Sequence, residues 1–389
     1  MNHCVTIALA AAGSLLLGAC GNSQGTTTDR TSPGEQPEAC LESIAAKQDE
    51  CQVPAEPARA FRAQWCNAPA AAEEVACFQA ETCSELMEVI LAGGLPCINT
   101  PTEVALPVGF QPEGITRGPG PLAFVGTMTR GGVVQVDLRS GAASFLVEPP
   151  PAGERTIAGL AYDEASQHVF ACGAWNSNAF IFDARTGDLL QEIPFPEGSM
   201  LNSVALRDGS AYFTDSYNAV FYRLPLSDQG LPIGDPEAVS LGGDFEQVEA
   251  VEDVNSNGIV ALPESPYLLI VNSADGALYR VDPGSGSARA ITIDRGPIVY
   301  ADGLFYDAGV LYVVQNGPDG HVFTLSLNDD LTLATVTAKL GDPRFIAPST
   351  AVRFGNSLWV VNSRLTEIFH GAAGPSDEFS LLRVDLPAE

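Results

Sequence analysis

From residue 103 onward, short apolar runs alternate with polar, glycine-rich breaks, and the alternation repeats over a long period. Six segments open on one polar or small residue and continue as an apolar run: EGIT (113–116), AGLAYD (158–163), NSVALRDG (202–209), NGIVALPES (257–265), DGLFYDAG (302–309) and STAVRFGN (349–356). A second run follows each after a turn (LAFVGT, HVFACG, AYFTDS, YLLIVNS, VLYVVQN, SLWVVNS). A third comes next (VVQVDL, AFIFDA, VFYRLPL, ALYRVD, HVFTLSL, SLLRVDL), and most units close on a weaker fourth such as AVSLGG or ATVTAKL. Short apolar runs between turn formers read as strands. Unit starts at 113, 158, 202, 257, 302 and 349 are spaced by 45, 44, 55, 45 and 47 residues. Four short strands per unit at this period predict an all-β fold, a six-bladed β-propeller over 103–389. The last unit stops after its third strand. The run TEVALPVG (103–110) can supply the fourth, which closes the ring and removes a free sheet edge. A β-sandwich, the other all-β arrangement, predicts no fixed period.

In a ring of this kind the first strand of each unit lines the central tunnel, so the residues opening those strands converge at one mouth. They are Glu113, Ala158, Asn202, Asn257, Asp302 and Ser349. Glu113, Asn202, Asn257 and Asp302 together offer two carboxylates and two amide carbonyls. All are oxygen ligands of the kind a hard cation needs. The set predicts one divalent cation: calcium fits best, with magnesium or manganese as alternatives. Zinc fits less well, since no His or Cys joins the set. The competing reading is that Asn and Asp simply cap strand ends as turn formers.

The chain ahead of the repeats divides into three. Residues 1–19 end an apolar stretch, VTIALAAAGSLLLGA, too short for a comfortable membrane span and of the length of an export signal. The ending Leu17-Gly18-Ala19-Cys20 resembles the bacterial lipobox, which implies cleavage before Cys20 and lipidation of its sulfur. A plain secreted protein is the alternative, since MNHC at the start carries no Lys or Arg. Residues 20–38 are polar and read as a flexible tether. Residues 39–98 hold Cys40, Cys51, Cys66, Cys77, Cys83 and Cys97 in helical patterns. In an exported chain an even cluster reads as disulfides, with the pairing left open. So small a segment needs such staples, and its role is read as spacing or contact with a protein partner. Cys172 lies apart in an apolar strand and reads as an inert buried thiol.

Composition narrows the partners. Net charge is −29, with 19 basic and 48 acidic residues. A nucleic-acid binder needs a basic stripe, which is missing. Protein charge also disfavours anionic lipid, so a membrane is reached through the lipid anchor only, in a cell-envelope setting, periplasmic or at the cell surface. A monomer acting on a small-molecule substrate is the expectation. No G-x-S-x-G elbow and no G-x-x-x-x-G-K-[ST] loop occurs.

The unit starts PEGI, LNSVAL, NGIVAL and ADGLFYD resemble the gluconolactonase/regucalcin (senescence-marker-protein) family over about 113–387. They are similar, more distantly, to diisopropylfluorophosphatase and the paraoxonases. The resemblance implies a divalent metal held by Glu113, Asn202, Asn257 and Asp302, Asp302 acting also as base, and hydrolysis of lactones or related esters. The chain departs from the sugar lactonases where they carry Arg-x-Asn-Asp: it reads ERTIAGLAYD, with only Arg155 nearby. That disfavours a polyhydroxylated sugar lactone. No counterpart of the paraoxonase-type histidine is evident. The turns between second and third strands are expected to set selectivity, with Arg155, Trp175, Tyr217, Arg364 and His370 as candidate substrate contacts. The alternative function is a non-catalytic surface propeller whose metal is structural.

Overall fold

In the computed structural model the described residues are 100–387 apart from 152–153, 249–253, 318–319, 370 and 372–376, together with Ala45 and Cys51. The expectations for Cys20, Cys40, Cys66, Cys77, Cys83, Cys97 and His370 lie outside them. Cys51 is disulfide-bonded and packs against the core cluster around Phe110 and Trp359. Cys172 is buried and free. Among the described residues no helix is long and apolar enough to cross a membrane.

The described chain is all-β, with four-stranded antiparallel sheets in a propeller-like arrangement. Strands of one unit pair in sequence order. In the first, Pro112–Arg117 pairs Leu122–Thr127, which pairs Val133–Asp137, which pairs Ala143–Val147. The units that begin at 257 and 302 share a nine-stranded sheet, because Thr292 and Ile293 of one outer strand pair in parallel with Leu333 and Ala334 of the next. Glu103–Ala105 pairs antiparallel with Ser380–Asp385, so the first strand completes the last sheet; it is shorter than the run 103–110 suggests.

Alternation explains the packing. Successive residues of a strand point to opposite faces of its sheet, and here both faces meet a neighbouring sheet. The middle strands are therefore buried throughout: His168–Cys172 and Ser210–Asp215 expose nothing substantial. Phe124, Ile157, Val169, Phe180 and Phe182 fill one gap between sheets. Phe170, Ile181, Phe213 and Tyr222 fill the next. The innermost strands contact one another in cyclic order, and Ala351–Phe354 returns to Pro112–Arg117.

A turn with a readable motif joins third and fourth strands. In DARTG, Asp183 Oδ1 accepts from the amides of Arg185 (2.8 Å) and Thr186 (3.2 Å), and Gly187 donates to the Asp183 carbonyl. Gly187 sits at φ +77°, a left-handed conformation that favours glycine. DLRSG at 137–141 and DPGSG at 282–286 build the same turn.

Candidate functional site

Four of the innermost strands are distorted where their units begin. Between Pro112 and Ile115 the strand advances three residues while its partner advances two, from Thr127 to Val125. The same extra residue appears between Leu201 and Val204, Ser256 and Ile259, and Ala301 and Leu304. These bulges contain Glu113, Asn202, Asn257 and Asp302. A bulge re-aims side chains and bends the strand, so one local irregularity serves four times. Close approach of neighbouring strands follows: a Cβ on Gly258 would meet the Asp302 carbonyl oxygen at 2.3 Å. The sequence signal is the small residue after each quartet position.

The four side chains line one cavity of about 900 Å³ and are nearly sealed, at 5%, 6%, 5% and 5% exposure. Asn202 Nδ2 donates to Ser216 Oγ and Asn257 Nδ2 to Ser273 Oγ, both at 3.0 Å. Asn316 Nδ2 donates to Asp302 Oδ2 at 2.8 Å. Glu113 differs: its Oε2 is buried with no hydrogen-bond partner. Burial pushes the Glu113 carboxyl well above the usual carboxylate range, and the neighbouring Asp302 charge pushes it further. Burial likewise lifts Asp302 to about 7, against hydrogen bonds from Asn316 and Asn257. A buried carboxylate oxygen without a donor is costly unless a proton or a cation compensates it. Two carboxylates and two amides, with Asn202 Nδ2 committed to Ser216 and Asn257 Nδ2 to Ser273 and Asp302, fit a hard cation on donor chemistry. Among the described residues no group of three His, Cys, Asp or Glu could hold a metal, so any cation here would depend on the amides.

The cavity runs along the innermost strands to Arg117, Tyr162, Leu206, Ala261, Asp307 and Arg353. None of its lining residues comes from the turns between second and third strands, where selectivity was expected. The physical reason lies in those turns: Ser216, Ser273 and Asn316 close on the quartet and occupy that side. Arg155 does not line the cavity. Its guanidinium donates to the Gly131 and Glu148 carbonyls and lies over Phe180 and Phe182, 5.6 and 5.3 Å from the ring centroids. Arg364 is likewise engaged, with Glu367, the Glu378 carbonyl and the Phe379 ring. Trp175 and Tyr217 sit in exposed turns, at 41% and 44%. His168 and His321 open strands and do not line the cavity.

Sequence reasoning missed Ser216, Ser273 and Asn316, although the recurring endings DS, NS and QN of the second strands mark their shared register. It also missed Arg117 and Arg353. Arg117 donates to the Arg353 and Gly120 carbonyls and lies over Phe354; burial lowers its pKa to about 10.

No protein-family model matches the sequence, and no curated protein matches it. Solved structures do. The allergen Mala s 1 of Malassezia sympodialis is similar with a TM-score of 0.54 at 16% identity, over 73% of this chain and 96% of that one. A Bacteroides thetaiotaomicron protein of unknown function is similar with a TM-score of 0.52 at 12% identity, over 72% of each chain. Virginiamycin B lyase from Staphylococcus aureus is similar with a TM-score of 0.47 at 12% identity, over 72% of this chain and 99% of that one. These likenesses concern fold alone.

Proposed function

We propose that the chain is an exported six-bladed propeller that binds one divalent cation, calcium first, and hydrolyses a lactone or related ester of a small molecule. The observation that carries this reading is the partnerless Glu113 Oε2, buried beside Asp302 in a cavity shared with Asn202 and Asn257. The cyclic contacts of the innermost strands support the blade count. Glu113, Asn202, Asn257 and Asp302 would hold the cation. A bound divalent cation supplies Lewis-acid polarisation of a carbonyl and stabilises the charge that develops on its oxygen.

The chain's own groups do the rest. Asp302, the base in this reading, takes the proton of the attacking water on its carboxylate, while Asn316 holds Oδ2 in place. Near-complete burial of the quartet keeps bulk water from the reacting carbonyl. The cavity wall beyond it, from Leu160 and Ile259 to Tyr162 and Arg353, orients the remainder of the substrate. Lipidation at Cys20 would tether the protein to the cell envelope.

The test is turnover of a lactone and aryl-ester panel with and without chelator, beside Asp302→Ala. Chelator-sensitive turnover that is lost in the variant supports the proposal. Activity indifferent to both sinks it. A second reading has an observation of its own: Val108, Trp175, Tyr217, Tyr300 and Ile346 are exposed in segments at the end where the innermost strands begin. Such residues suit a contact surface. Chelator-sensitive melting without turnover of any substrate would favour a binding module with a structural cation.

A further inference from the structure

The residue that follows the second strand makes the same backbone bond in four units. Its amide donates to the carbonyl two residues before the quartet position: Met128 to Gln111 at 3.2 Å, Ser216 to Met200 at 2.9 Å, Ser273 to Asn255 at 2.9 Å and Asn316 to Tyr300 at 2.8 Å. The bond sets that residue beside the quartet residue of its own unit. What differs is the side chain it brings.

Ser216 Oγ donates its proton to the Ser256 carbonyl at 2.8 Å, and Ser273 Oγ donates to the Ala301 carbonyl. A hydroxyl has one proton. With that proton on a backbone carbonyl, the serine oxygen can only accept. Asn202 and Asn257 must then present Nδ2 to it; the flipped amide would set two lone-pair oxygens against each other. An amide is planar with its N and O on opposite sides of Cγ, so each Oδ1 is turned away from its serine.

We propose that Ser216 and Ser273 are positioning residues that select the amide orientation in which Asn202 and Asn257 act as oxygen ligands. The inference rests on the reading of the quartet as a cation site. The carbonyls that receive the two serine protons belong to Ser256 and Ala301, the residues immediately before Asn257 and Asp302. Each serine thus ties one quartet side chain to the backbone leading into the next, and the two bonds in series run from Asn202 to Asp302. Asn316 meets Asp302 with a donor, as a carboxylate requires. In the first unit the same position is Met128, whose side chain has no polar hydrogen, and Glu113 keeps one oxygen without a partner. Three settled side chains and one unsettled carboxylate leave a single place where positive charge is wanted.

The experiment uses the full chain as wild type, Ser216→Ala, Ser273→Ala and Ser216→Thr. Calcium affinity is read by calorimetry. Exchange of the Asn202 Nδ2 protons is read by NMR on 15N-labelled protein in chelator. The expected result is slow exchange in the wild type and fast exchange in Ser216→Ala. Calcium affinity should fall about 10–100-fold in each alanine variant, the range seen when groups that orient metal ligands are removed. Ser216→Thr keeps the hydroxyl and should restore affinity to within a few-fold. Unchanged affinity in both alanine variants, or fast Asn202 exchange already in the wild type, overturns the proposal. If the wild type takes up no calcium while its slow exchange is lost in Ser216→Ala, the orienting role stands and the cation reading alone falls. Should the alanine variants not fold, the wild-type exchange rate still decides the orientation.

Discussion

The two ends of the innermost strands are built for opposite purposes. Where the strands begin, four oxygen-bearing side chains are packed under the turns, and serines and Asn316 fill the remaining space. Where the strands finish, the same cavity is lined by Tyr162, Leu206, Ala261, Asp307 and Arg353. One end fixes chemistry by leaving nothing free to move. The other leaves room for a guest. The exposed Trp175 and Tyr217 lie in turns at the closed end and do not line the cavity.

The sharpest way to break the contrast is at the closed end. Saturating calcium should raise the melting temperature of the wild type, worth about 2.7 kcal/mol at a hundredfold excess over Kd. Asp302→Ala should abolish the rise in a calorimetric scan. In chelator the sign reverses for Glu113→Gln: removing a buried carboxylate that lacks a partner should raise stability above the wild type. Equal melting of all these proteins in both buffers would deny the closed end any cation.

A smaller effect tests the open end. Ala261→Trp places an indole in the tunnel and should cut lactone or ester turnover about tenfold or more, the scale of a lost positioning contact. The calcium-dependent melting shift should persist. Trp175→Ala and Tyr217→Ala should alter turnover by about twofold or less, as exposed substitutions do. The opposite ranking would move the substrate to the turn side.

The smallest effect lies away from both ends, in the DARTG turn. The Arg185 guanidinium and turn amides hold Asp183 down to about 2, below its ordinary 3.8. A depressed carboxylate contributes stability above its unfolded pKa and loses it as pH falls through the folded one. Asp183→Asn should therefore lower the melting temperature modestly at neutral pH and flatten its decline between about pH 4 and pH 2, so that the two proteins converge in acid. Partial exposure of Arg185 keeps this contribution modest.

Much of the sheet structure was legible because strand alternation and turn chemistry are local. The runs LAFVGT, AYFTDS and SLWVVN become strands almost residue for residue. Asp183 and Gly187 announce their hairpin. The quartet was legible as a register position. The serines were not, because their meaning depends on partners 40 and 28 residues away in a neighbouring unit: Ser216 with Ser256, Ser273 with Ala301. Which end of the tunnel stays open depends on how side chains from several units fill it, and no single stretch of chain records that. Arg155 looked available for a ligand because sequence does not show that Gly131, Glu148 and two phenylalanines surround it.

The pairing of Glu103–Ala105 with the final strand has a mechanical consequence. Three residue pairs, reinforced by Arg383, which donates to the carbonyls of Thr100 through its side chain and Thr102 through its backbone, fasten the beginning of the described chain to its end. A load applied to the polypeptide at residue 100 meets that buckle. A tug there would peel or shear one short ribbon before it disturbed the tunnel, and the ring would open like a bracelet at its clasp.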